Sequence, residues 1–126
     1  MNDLENHLGS WIRSAKADLD TAALLINEAK LVEGLFFCLL AIEKGLKAHA
    51  IRFTEKSPPD ANDLNDLLQQ AHIRVGKQDR ELLDLLMDYQ AGLRCVVHDY
   101  DVPNVNQALN YLERSKELLE WLQRTL

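Results

Sequence analysis

Gly34-Leu35-Phe36-Phe37-Cys38-Leu39-Leu40-Ala41-Ile42 runs without a break into Glu43-Lys44-Gly45-Leu46-Lys47-Ala48-His49-Ala50-Ile51-Arg52. The first half is apolar nearly all round, and the second half is amphipathic. A helix that is apolar on every side has to be buried on every side. This segment is therefore expected to be the central element of the fold, covered by its neighbours or by a second copy of the chain. Leu35 to Ile42 is also the strongest apolar run, and Glu43 and Lys44 end it. It falls well short of the roughly 20 residues a membrane span needs, so no membrane partner is expected.

On the N-terminal side, a first helix is expected from about Asp3 to Lys30. Leu4, Leu8, Trp11, Ala15, Leu19, Ala22, Ala23 and Ile26 recur there at helical spacing and form one apolar stripe. A break at Leu31 to Glu33 separates it from the second helix, which is expected from about Glu33 to Thr54. On the C-terminal side, Ser57-Pro58-Pro59-Asp60 is a breaker, and Asp60 or Asn62 can cap the next helix. That helix is short, from about Asn62 to His72, with Leu64, Leu67 and Leu68 inward and Gly76 marking a stop. A fourth runs from about Gln78 to His98. Asp99 to Pro103 reads as a turn, because Pro103 disfavours helix at Val102. Asn104 with Gln107 reads as a capping box. It opens a last helix to about Arg124 that buries Ala108, Leu109, Leu112, Ser115, Leu119 and Leu122. The pattern predicts an all-α fold: an antiparallel up-down helical bundle of four long helices plus one short helix, as a single domain over residues 1–126.

Composition agrees. The 126 residues are 47% apolar, with few Gly and Pro and too little Val, Ile and Thr for a sheet protein. The net charge of −6 excludes a general binder of DNA. Any RNA site is expected to be a local patch, or to arise only when two subunits combine. Cys38 and Cys95 lie apart with no metal-ligand spacing, as reduced packing residues do. Met1-Asn2-Asp3-Leu4-Glu5 lacks a signal-peptide pattern, so a cytoplasmic location is expected. There is no Gly-rich phosphate loop and no metal-spaced cluster of His, Cys and carboxylates, so neither cofactor nor metal is expected.

One cluster is able to carry chemistry: Arg94-Cys95-Val96-Val97-His98-Asp99-Tyr100. Arg94 and His98 are four positions apart, on one face of the expected helix, with Tyr100 close by. Cleavage of RNA by its own 2′-OH needs a proton acceptor near neutral pH and a cation at the phosphorane. Histidine, titrating at about pH 6.5, supplies the first. The bidentate, permanently charged guanidinium supplies the second. The same pair also reads as surface cations at a helix C-terminus, with Asp99 as counter-ion, and Tyr100 as a packing residue. Lys44 and Lys47 read either as phosphate contacts or as members of structural ion pairs. His7, His49 and His72 read as isolated, exposed helical histidines, and Trp11 and Trp121 as packing residues.

Four stretches together resemble the HEPN family of small helical bundles. Trp11 to Ala22 is similar to its opening A-x-x-D-L-x-x-A pattern. Phe36-Phe37-Cys38-Leu39-Leu40-Ala41-Ile42-Glu43-Lys44-Gly45-Leu46-Lys47-Ala48 closely resembles its helix-two signature, a large residue followed by A-x-E-K-x-L-K-A. Pro59-Asp60-Ala61-Asn62-Asp63-Leu64 stands in place of its H-D-L, with Asn62 where a His is common. Tyr89 to Tyr100 stands in place of its R-Y or R-x(4-6)-H segment. The resemblance implies an all-α dimer, often encoded with a small nucleotidyltransferase. Many members are ribonucleases, including toxins of toxin–antitoxin pairs, whose Arg and His form a composite site with a symmetry mate. In some pairs the partner enzyme adds nucleotides to a Tyr just after the His. On that alignment Arg94 and His98 are catalytic, with three residues between them, and Tyr100 is the modified tyrosine. In the Arg-Tyr branch, Arg94 still matches, Cys95 replaces the Tyr, and His98 has no role.

Three functions are compatible with these residues. The first is a nucleotide- or RNA-binding module acting with a nucleotidyltransferase partner in a toxin–antitoxin-like system. The second is a metal-independent endoribonuclease toxin with an Arg94–His98 composite site at a homodimer interface. The third is a structural dimeric adaptor without ligand.

Overall fold

The computed structural model describes residues 3–54, 64–94 and 103–126, with residues 91–94 described by backbone alone. These residues form five α-helices: α1 (Asp3–Asn27), α2 (Leu31–Thr54), α3 (Leu64–Ala71), α4 (Lys77–Arg94) and α5 (Val105–Thr125). The protein is an all-α helical bundle, with no strand among the described residues.

The pairing of side chains gives the directions. Ile26 meets Gly34, Asp18 meets Lys44 and Glu5 meets Arg52, so α1 and α2 are antiparallel. Ser115 lies beside Cys38, Leu119 and Leu122 pack on Gly45, and the Leu122 carbonyl reaches His49. Both numbers rise together, so α5 runs parallel to α2. At the start of α4, the Arg114 guanidinium donates to the Gln78 carbonyl oxygen at 2.6 Å.

α2 packs on each of the other four helices, as its apolar first half requires. Leu35, Cys38, Leu39, Ala41 and Ile42 are fully buried. Neighbouring helices of the same chain provide that burial. Phe36, Phe37 and Leu40 stay half-buried, with the two Phe rings edge to face at 5.9 Å. The main core draws on all five helices, and a smaller one gathers Leu8, Ile12, Ala48 and Ile51 where α1 begins and α2 ends.

The helix ends differ from the sequence expectation in instructive ways. α1 stops at Asn27 instead of Lys30, and α2 starts at Leu31 instead of Glu33. Ala29 adopts φ 63, Ala29 N–H donates to the Ile26 oxygen, and Lys30 N–H donates to the Leu25 oxygen. That is a Schellman close, with alanine at the left-handed position glycine usually takes. α3 ends the same way. His72 has φ 55, His72 N–H donates to the Gln69 oxygen, and Ile73 N–H donates to the Leu68 oxygen. Gly76, expected as the helix stop, instead precedes α4 and accepts from Arg80 N–H. The capping box at α5 is present: Gln107 N–H donates to Asn104 Oδ1 at 2.8 Å, and Asn104 N–H donates to Gln107 Oε1 at 2.9 Å. Leu109, expected to be buried, is 42% exposed, and Leu118 is buried instead. Ala108, Leu112, Ser115, Leu119 and Leu122 already form the inward stripe, and Leu109 falls at its edge. The expected turn from Asp99 and the start of α3 at Asn62 lie outside the described residues.

Candidate functional site

Arg94 is the last described residue of α4, and only its backbone is described. Cys95, His98 and Tyr100 lie outside the described residues.

Lys44 sits where α2 crosses α1. Its ammonium is 2.8 Å from Asp18 Oδ2 and donates to Ser14 Oγ at 2.7 Å. Among the described residues, that ammonium is the buried Oδ2's sole compensating group. Breaking such a pair strands a desolvated charge, so Lys44 has a structural duty whatever else it contacts. One turn on, the Lys47 ammonium lies 5.4 Å from the centroid of the Trp11 ring, and Lys47 remains half-exposed. Trp11 also donates from Nε1 to His7 Nε2 at 3.4 Å. No group of three or more metal-ligating side chains occurs among the described residues.

A cleft that the sequence did not announce opens at the other end of α4. It is made where the end of α2, the Ile73–Gly76 connection and the end of α5 converge. It has two lobes of about 610 Å³ and about 490 Å³ that share His72, Ile73 and Arg74. Asn65 and Arg80 line the larger lobe; His49, Arg52, Phe53 and Trp121 line the smaller. The His72 imidazole stacks on the Phe53 ring, centroids 3.9 Å apart and planes 24° apart. Phe53 is nevertheless 60% exposed. Arg52 is clamped by Glu5 through contacts of 2.6 and 3.2 Å. The hydrogen bond between them lowers the Glu5 carboxyl and raises the guanidinium from their ordinary values. Arg74 is exposed and has no ion pair or hydrogen bond among the described residues. Two buried polar atoms on the cleft walls, Arg52 Nε and Asn65 Oδ1, also lack partners among the described residues.

His49, expected to be exposed, is buried, at 7% exposure. Its Nε2 lies 2.7 Å from the Leu122 carbonyl oxygen. A carbonyl can only accept, so Nε2 carries the proton and Nδ1 is left as an acceptor in the neutral ring. A signal for its burial was present: Ile42, Leu46 and His49 fall on one face of α2. For the cleft as a whole there was none, because its walls come from segments far apart in sequence.

The five helices of the described residues define a small α-bundle protein. The chain matches the HEPN domain over residues 8–125, and it belongs to the HEPN family, which is generally concerned with nucleotides and RNA. No curated protein and no solved structure gives a match.

Proposed function

We propose that this HEPN protein is a nucleotide- or RNA-binding module that uses the segment from Arg94 to Tyr100 and acts with a nucleotidyltransferase partner in a toxin–antitoxin-like system. The observation that carries this is the family match over residues 8–125, which spans α4 and Arg94. In this reading Arg94 grips phosphate through its fork, His98 stands beside it, and Tyr100 accepts the partner's modification. Lys47, half-exposed on α2, is a further candidate phosphate contact, whereas Lys44 contributes only what its pair with Asp18 leaves over. The protein works in the cytoplasm as a single domain over residues 1–126. A homodimer brings two such segments together and raises the local positive charge that a −6 subunit lacks. The half-buried Phe36, Phe37 and Leu40 supply apolar surface for the second copy.

The test is RNA binding by wild type, Arg94→Ala and His98→Ala, read by fluorescence anisotropy at fixed salt. Arg94→Ala should weaken binding roughly tenfold, and equal affinity for all three proteins would remove the assignment. Running the same samples with EDTA scores cleavage directly. Metal-independent cleavage that His98→Ala abolishes would move the protein to the endoribonuclease reading. Coexpression with a small nucleotidyltransferase should add nucleotide mass to the peptide carrying Tyr100. Sedimentation at micromolar concentration should show a dimer.

A further inference from the structure

The cleft beside α3 collects features that the fold does not need. His72 closes α3 in the left-handed region, where a side chain costs about 1 kcal/mol and glycine costs nothing. Histidine there gains only what its ring does, and the ring lies flat on Phe53. Phe53 is a large apolar ring held in place yet mostly open to solvent. Next to this platform Arg74 carries an uncompensated charge among the described residues. Arg80 lies on the far side of the shared wall, 3.5 Å from Asp84 in an exposed pair too weak to consume its charge. Among the described residues that line the smaller lobe there is no Asp or Glu, and Leu126 at the end of α5 is one of its walls. Trp121 bounds it as a second aromatic surface, and His49 closes it with Nδ1 unpartnered among the described residues.

We infer that this cleft is a second ligand site, distinct from the Arg94 segment, which takes a phosphorylated nucleoside with its base against the Phe53–His72 stack and its phosphate on Arg74. A flat π-face and a forked cation side by side are the two groups such a ligand needs. A volume of about 490 Å³ falls within the usual range of small-ligand pockets. The second lobe, reached past Arg74 toward Arg80, gives room for a further nucleotide when the ligand is a strand. The site is separated from Arg94 by the length of α4, 18 residues or roughly 27 Å. It therefore stands or falls independently of the function proposed for that segment.

The experiment measures binding of adenosine monophosphate by calorimetry, and of a labelled single-stranded RNA pentamer by anisotropy. The proteins are the full chain as wild type, Arg74→Gln, His72→Gly and Arg94→Ala. Wild type should bind at least one probe. Arg74→Gln and His72→Gly should each weaken that binding roughly tenfold. His72→Gly should melt at or above the wild-type temperature, which separates loss of the platform from loss of the fold. Binding of the mononucleotide identifies a free nucleotide as the source, and binding of the pentamer alone identifies a strand. The inference is overturned if wild type binds neither probe at millimolar concentration. It is equally overturned if inorganic phosphate competes as well as the mononucleotide, or if Arg74→Gln and His72→Gly bind like wild type. A loss confined to Arg94→Ala overturns the cleft and leaves the Arg94 segment as the binding site.

Discussion

His49, on α2, donates from Nε2 to the backbone carbonyl of Leu122, near the end of α5, at 2.7 Å. The last carbonyls of a helix have no partner within it, and Leu126 N–H goes to Gln123, not Leu122. The imidazole thus closes α5 from the side while burying its own polar edge. Thr125 Oγ1 stands 3.3 Å from the same carbonyl but 2.9 Å from that of Trp121, so it is an incomplete substitute. His49→Phe keeps the ring volume and strands the carbonyl. It should cost roughly 1–3 kcal/mol in urea unfolding. A midpoint equal to wild type would show that the bond contributes nothing.

Gly34 sets the distance between α1 and α2. A Cβ there would stand 2.6 Å from Ile26 Cγ1 and 3.1 Å from the Ala22 carbonyl oxygen. Ile26 is 2% exposed and cannot swing away. Gly34→Ala should therefore destabilise by roughly 1–3 kcal/mol, although alanine is the better helix former by about 1 kcal/mol. At Gly45 the nearest atoms, at 3.0 and 3.1 Å, are the terminal methyls of Leu119 and Leu122. These contacts are longer than the 2.6 Å at Gly34 and include no backbone atom, so Gly45→Ala should cost less. Thermal melts in which Gly45→Ala is the more damaging variant would contradict this packing.

Ala29 holds φ 63 in the close of α1. Replacing it with glycine removes the steric cost of that conformation and leaves the two closing hydrogen bonds in place. Ala29→Gly should stabilise by about 1 kcal/mol, read as a rise in melting temperature. A fall would mean that the unfolded chain gains more freedom from glycine than the turn gains relief.

Burial pushes the Cys38 thiol up from 9.0 to about 11, against smaller opposing effects of Ser115 and Lys116. The folded state holds this proton more tightly than the unfolded state. Its contribution to stability is therefore complete below about pH 9 and is lost as pH rises toward 11. Wild type should lose about 2 kcal/mol more than Cys38→Ala across that window. Parallel curves would refute the assignment. In a Cys95→Ser background, the remaining thiol should react with a disulfide reagent at pH 8 only after unfolding.

Much of this protein was present in its one-dimensional pattern. The all-apolar start of α2, the stripe of α1 and the Asn104–Gln107 box are local signals, and each became the element it announced. Local periodicity reports which face of a helix is buried, so the bundle and the HEPN resemblance could be read before any coordinates. The ends of α1 and α3 could not, because Ala29 and His72 occupy left-handed positions that glycine usually signals. The burial of His49 and the exposure of Leu109 also depended on which neighbour lay opposite. The cleft shows the limit most plainly. Phe53, His72, Arg74 and Trp121 come from the ends of α2, α3 and α5 and a connection between helices. Nothing in their spacing links them. Only the crossing of separate helices, decided by how their side chains interlock, brings a ring and a guanidinium to one opening.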